Sequence, residues 1–192
     1  MSGTPEKSLT RRELAARAAA RPPTEPQLLT GLLALEQLAV AVYDLVLASG
    51  TASPAERALL ATLRGQESAH AVAVGRLLGV PPPSPPAGAG PIQAGLTRAG
   101  ITSQLSAMRT AHDWFTLLET LESTLEGAYY AALADLTRPR TVALAAAILA
   151  SEAQHSTLLF HERHPLDVDL AVAFGLVHGT APPQPGAPVR RG

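Results

Sequence analysis

Two Glu-x-x-His motifs recur in this chain, Glu67-Ser68-Ala69-His70 and Glu152-Ala153-Gln154-His155. Each follows a Glu and a Tyr set seven residues apart, Glu36 with Tyr43 and Glu122 with Tyr129. Glu36 and Glu67 are separated by 31 residues, Glu122 and Glu152 by 30. The chain therefore reads as a duplicated helical hairpin. A step of seven is two helical turns and returns to the same face. Phase makes the pattern restrictive. In the first segment Leu29, Leu33, Val40 and Leu47 form an apolar seam, and Glu36 and Tyr43 fill its gaps. In the second the seam is Leu60, Leu63, Val74 and Leu77, with Glu67 and His70 on the same spacing. The third places Glu122 and Tyr129 among Phe115, Leu118, Leu125 and Leu136; the fourth places Glu152 and His155 among Ala145, Ile148 and Leu159. All four segments aim polar groups at core positions.

These segments predict four helices. The first runs from about Glu25 to Ser49, before Gly50. The second opens at Ser53-Pro54, an N-cap followed by proline at the first helical position, and ends near Leu78, before Gly79. The third covers about Ser103 to Leu136, and the fourth runs from near Pro139 to before Pro165. Short links inside each pair imply antiparallel neighbours. Between the pairs, Val80 to about Thr102 opens with six residues, Pro81 to Pro86, of which only Ser84 is not proline, and then turns glycine-rich. It is read as a crossover that holds no helix. The expected fold is all-α: an antiparallel four-helix bundle over 25–165 with a long crossover between helices two and three. Residues 1–24 form a partly helical or disordered lead. Residues 166–192 form a C-terminal segment with a short helix over Asp169 to Val177 and a Pro/Gly-rich disordered tail from Thr180.

Composition narrows the function classes. A chain of 192 residues, 46% apolar, supports one domain with a substantial core, and its 4% aromatic content favours helices over sheets. A net charge of −1 gives no footprint for nucleic acid or an acidic membrane. The absence of cysteine excludes disulfides, iron–sulfur clusters and thiolate metal sites. Arg11-Arg12 resembles a twin-arginine export pair, but Glu13, Arg17 and Arg21-Pro22-Pro23 interrupt the apolar stretch such a signal needs. No charge-free apolar run of 18 or more residues occurs. The expectation is a cytoplasmic protein with no membrane and no nucleic-acid partner.

Four carboxylates driven into one core repel each other and lose their hydration. Two divalent cations, about four positive charges, balance them, and two imidazoles add a neutral nitrogen ligand each. Carboxylate oxygen with imidazole suits iron or manganese, and also zinc.

With all six positions filled, the chain from about Gln27 to Glu162 resembles the ferritin-like superfamily of carboxylate-bridged di-metal proteins. Ser151-Glu152-Ala153-Gln154-His155 and the proline-rich crossover are most similar to bacterial ferritin-like domains related to desiccation-associated proteins. The resemblance implies Glu36 and Glu122 as terminal ligands, Glu67 and Glu152 as bridges, and His70 and His155 as caps on one metal each. It also implies that tyrosines at the places of Tyr43 and Tyr129 hydrogen-bond ligand carboxylates, a role that stands beside plain core packing.

Other candidates lie off the seam. Glu119 and Glu126 flank it, solvated or behind the ligands, with Glu126 one turn from Glu122. Asp44 and Tyr130 are peripheral. His161 and His164 suit the C-terminal end of a helix. His112 and His178 are not expected as ligands, and Trp114 is a packing residue.

The expected cofactor is a pair of metal ions, iron first and manganese second. The expected activity is oxidation of ferrous iron or reduction of oxygen or peroxide as the small-molecule substrate. Two alternatives stand beside it: a metal-free or structurally metallated stress-protective protein, and a manganese catalase-like peroxide dismutase. A homodimer is one assembly open to such a chain.

Overall fold

The computed structural model describes residues 22–81 and 84–164. Among these there are five α-helices, one short 3-10 turn and no strand. Arg11-Arg12, the expected helix over Asp169 to Val177, His178 and the tail lie outside the described residues.

Helix α1 spans Glu25–Ser49 and α2 spans Pro54–Leu78. Their ends follow from local chemistry. Gln27 Oε1 accepts from the Thr24 backbone N–H at 2.8 Å at the start of α1. At the start of α2, Glu56 accepts from the Ser53 N–H at 2.6 Å, and Ser53 Oγ accepts from the Glu56 N–H at 3.3 Å. This reciprocal cap satisfies two donors that a helix start leaves orphaned. Helix α2 stops at Gly79, whose φ of 69° a residue with a Cβ rarely adopts.

The crossover departs from expectation. It holds a helix, α3, Ala89–Arg98. The proline run ends at Pro86, and Pro91 falls in the first turn of α3, where a missing N–H costs little. Ile92 and Leu96, one turn apart, are buried, and α3 lies against α1. Gly95 permits that approach: a Cβ there would sit 2.8 Å from Leu38 Cδ1. Two buried apolar residues outweigh the poor helix propensity of the glycines.

The third long helix is also shorter than expected. Leu105–Ala107 form only a 3-10 turn, and α4 spans Ala111–Leu133. Asp113 fixes its start by accepting from the N–H groups of Arg109 and Thr110 at 3.0 and 2.9 Å. Leu136 is buried but lies past the helix, in the turn before Pro139. Helix α5 spans Pro139–Arg163, as its proline start predicts.

Helix α1 packs chiefly on α2, and α4 on α5; α1 against α4 joins the two hairpins, while α2 and α5 meet less closely. Glu25, at the start of α1, accepts from Thr141 Oγ1 at 2.7 Å and pairs with Arg138 Nε at 2.8 Å, across the α4–α5 turn. Tyr43, late in α1, reaches Glu122 in mid-α4. The two helices are thus antiparallel, so α2 and α4 are parallel and need the long crossover. Helices α1 and α5 are long and apolar enough to cross a membrane by length and composition. In α1 most of that apolar window is buried in the bundle, and each of the two helices carries ligand-type side chains inward: Glu36, and Glu152 with His155.

Candidate metal centre

The seams converge at mid-bundle. Glu36 on α1, Glu67 on α2, Glu122 on α4 and Glu152 on α5 are fully buried. His155 is 1% exposed and His70 is 14% exposed at its side chain. His155 Nδ1 lies 2.7 Å from Glu67, 3.3 Å from Glu152 and 3.5 Å from Glu122. His70 Nδ1 lies 2.9 Å from Glu152 and 3.7 Å from Glu36. The six side chains form two donor groups, Glu36–Glu67–His70–Glu152 and Glu67–Glu122–Glu152–His155. Within each group the donor atoms lie within 4.8 Å of one another, and Glu67 and Glu152 belong to both.

Two tyrosines brace the outer carboxylates. Tyr43 donates to Glu122 Oε1 at 2.5 Å, and Tyr129 donates to Glu36 Oε1. Each hairpin thus orients the glutamate of the other. The internal repeat becomes an approximate two-fold arrangement about the centre.

Hydrogen bonding does not satisfy this cluster. Both oxygens of Glu67 and of Glu152, Oε2 of Glu36 and of Glu122, and Nδ1 of both histidines have no hydrogen-bond partner. They approach one another at ion-pair distances without hydrogen-bond directions. Buried polar atoms in native cores are nearly always paired, so eight converging orphans require an explanation. Four carboxylates and two inward Nδ1 atoms fit a pair of divalent cations by charge, donor type and position.

Electrostatics show the same strain. Burial, with Glu67 and Glu152 adding repulsion, pushes the Glu36 carboxyl well above the usual range. Burial does the same to Glu122, with Glu67 adding to it, and raises Glu67. Burial would also raise Glu152, but His155 and His70 outweigh it and hold Glu152 down at about 2. Burial would lower His155; the carboxylates of Glu122, Glu152 and Glu67 overcome it and push the ring up to about 12.

Residues 24–161 match the family described as ferritin-like domain. The chain belongs to that family. No match exists among curated proteins or solved structures. The matched stretch takes in α1 to α4 and all but the last two residues of α5, and so contains the six clustered side chains.

The flanking candidates separate. Glu119 is not solvated: its side chain is 13% exposed and pairs with Arg163 of α5. Glu126 is buried but belongs to neither donor group. Burial pushes its carboxyl up to about 7, with the Ser156 hydroxyl opposing. Asp44 forms a surface pair with Arg64 at 2.9 Å. Tyr130, His112 and His161 are exposed, the His164 ring lies tilted against Phe160 with centroids 4.6 Å apart, and Trp114 is buried in the core. Two further side chains contact a ligand-type ring: Gln66 Oε1 lies 2.6 Å from His155 Nε2, and Ser151 Oγ lies 3.3 Å from the same atom. Both residues directly precede a motif glutamate; Ser151 lies one turn from His155 on α5, which helical period can register, whereas the Gln66 contact exists only where α2 meets α5.

Proposed function

We propose that this chain is a di-metal carboxylate protein that oxidises ferrous iron, with oxygen or peroxide as the electron acceptor. The observation that carries the proposal is the pair of donor groups sharing Glu67 and Glu152, with their oxygens unpaired at the bundle centre. Glu36 and His70 would hold one ion, Glu122 and His155 the other, and Glu67 and Glu152 would bridge them. Two ferrous ions held there supply one electron each to the acceptor.

The chain's own groups do the rest. Tyr43 and Tyr129 keep Glu122 and Glu36 turned inward, and their own hydroxyls stay protonated because burial, then the neighbouring carboxylates, raise them. Glu126, poised at about 7, can hold or release a proton beside the centre. The apolar layers of Leu118, Leu121, Leu125 and Leu159 limit water at the site. With no cysteine in the chain, electrons beyond those of iron itself come from a separate donor.

The test is stopped-flow absorbance after mixing protein loaded anaerobically with two ferrous ions against oxygen and, separately, peroxide. Oxidation much faster than that of free iron is expected. A rate equal to free iron with both acceptors refutes the proposal. Peroxide dismutation by manganese-loaded protein in its place would assign the catalase-like activity.

A further inference from the structure

The two hairpins are not equivalent at their histidines. By the internal repeat, the residue preceding the motif glutamate is Gln66 in one half and Ser151 in the other. If the two-fold were kept, each would serve a different ring. Instead both bond His155 Nε2, at 2.6 and 3.3 Å. His70 stacks 5.9 Å from His155 and remains 14% exposed, while His155 is 1% exposed.

We infer that Gln66 is a positioning residue that fixes the His155 ring with Nδ1 toward the carboxylates, so that the His155 position of the centre fills before the His70 position. The inference rests on the di-metal reading above. The physical chain is short. The Gln66 amide oxygen only accepts, so Nε2 of His155 carries the proton. Nδ1 is then the atom left for a cation, and it is the atom facing Glu67, Glu152 and Glu122. A ring already held loses little freedom when an ion binds, and the His70 ring, partly exposed and without such a hold, loses more. Ser151 adds a longer contact to the same nitrogen, so the bias toward His155 is built from both halves of the repeat.

Gln66 is itself solvent-exposed on α2, so its replacement leaves the core packing in place. The experiment titrates the chelated full-length chain with Mn(II) by anaerobic calorimetry, for wild type, Gln66→Leu and Gln66→Glu. A second readout is the imidazole nitrogen NMR spectrum of the Zn(II)-loaded forms. Wild type is expected to bind in two resolved steps. Gln66→Leu should weaken the first step by about 10–100-fold and leave the second unchanged, the range typical of a lost partner to a metal-bound imidazole. Gln66→Glu, which keeps an acceptor at Nε2, should restore the first step. A slowly exchanging Nε2 proton on His155 should be present in Zn(II)-loaded wild type and lost in Gln66→Leu. Wild-type titration in Gln66→Leu, or equal filling of both positions in wild type, overturns the inference and leaves the di-metal reading standing. Failure of wild type to bind either ion at the six residues overturns both.

Discussion

Tyr43 donates its hydroxyl to Glu122 across 79 residues of sequence, and Tyr129 returns the contact to Glu36 across 93. The hydroxyls hold the outer carboxylates, while the rings fill the core. Tyr43→Phe and Tyr129→Phe keep the ring and remove the donor. Two ions should still bind each variant, and iron oxidation should slow by about tenfold to 100-fold. Stopped-flow rates at matched metal occupancy check this. Loss of one ion would instead give the tyrosines a larger part in binding.

Glu152 and Glu36 should respond oppositely to neutralisation in chelated protein. Glu152 stays charged because it pairs with two histidines, and Glu36 is driven toward its neutral form. Glu152→Gln should destabilise by about 3 kcal/mol or more, since it leaves a buried imidazolium short of a partner. Glu36→Gln should change the stability by less than about 1 kcal/mol. Urea unfolding in the presence of chelator measures both. Equal losses would contradict this distribution of charge.

The same groups set a pH dependence. Glu36 and Glu122 have folded pKa values above their unfolded ones, so the stability they lend is present at low pH and lost as pH rises above the ordinary 4.5. His155 contributes fully below 6.5, and its contribution is lost as pH rises toward about 12. Glu152 contributes above 4.5 and loses its contribution as pH falls toward about 2. Chelated protein should therefore lose melting temperature from about pH 5 to about pH 9. Cation binding displaces the protons that the raised His155, Glu36 and Glu122 favour, so metal uptake should release protons and tighten as pH rises. Thermal melts across this range and uptake in weakly buffered dye solution check both; a flat chelated profile with no proton release contradicts them.

Glu25 supplies a control far from the centre. Its hydrogen bond from Thr141, then those from Thr137 and Arg138, hold its carboxyl down at about 2 against an ordinary 4.5. Its contribution is present above 4.5 and is lost as pH falls through about 2. Glu25→Gln should lower the melting temperature by roughly 1–3 °C near neutral pH, with the difference vanishing in strong acid. A difference that persists below about pH 2 would assign the loss to packing instead.

The bundle and its inward polar groups were legible because burial and helical period act together along each strand of sequence. Glu36, Tyr43, Glu67 and His70 share the spacing of Leu33, Val40, Leu63 and Val74, and only a core axis explains that. The ends of α1, α2 and α5 were legible from Ser53-Pro54, Gly50, Gly79 and Pro139. The start of α4 lies eight residues after the expected Ser103, at the capping box formed by Thr110 and Asp113. Helix α3 is not legible in the sequence because its stability comes from Ile92 and Leu96 meeting α1, which propensity does not register. The Gln66–His155 contact, between residues 89 apart, exists only once α2 and α5 are brought together.

Metal stoichiometry tests the central claim most directly. Chelated protein is titrated anaerobically with ferrous iron, and bound metal per chain is counted by elemental analysis after desalting. Wild type should hold two ions per chain, and the Glu67→Gln/Glu152→Gln double variant, which lacks both shared carboxylates, should hold none. Wild type with no bound ion, or a double variant that retains both, contradicts a di-metal centre at these residues.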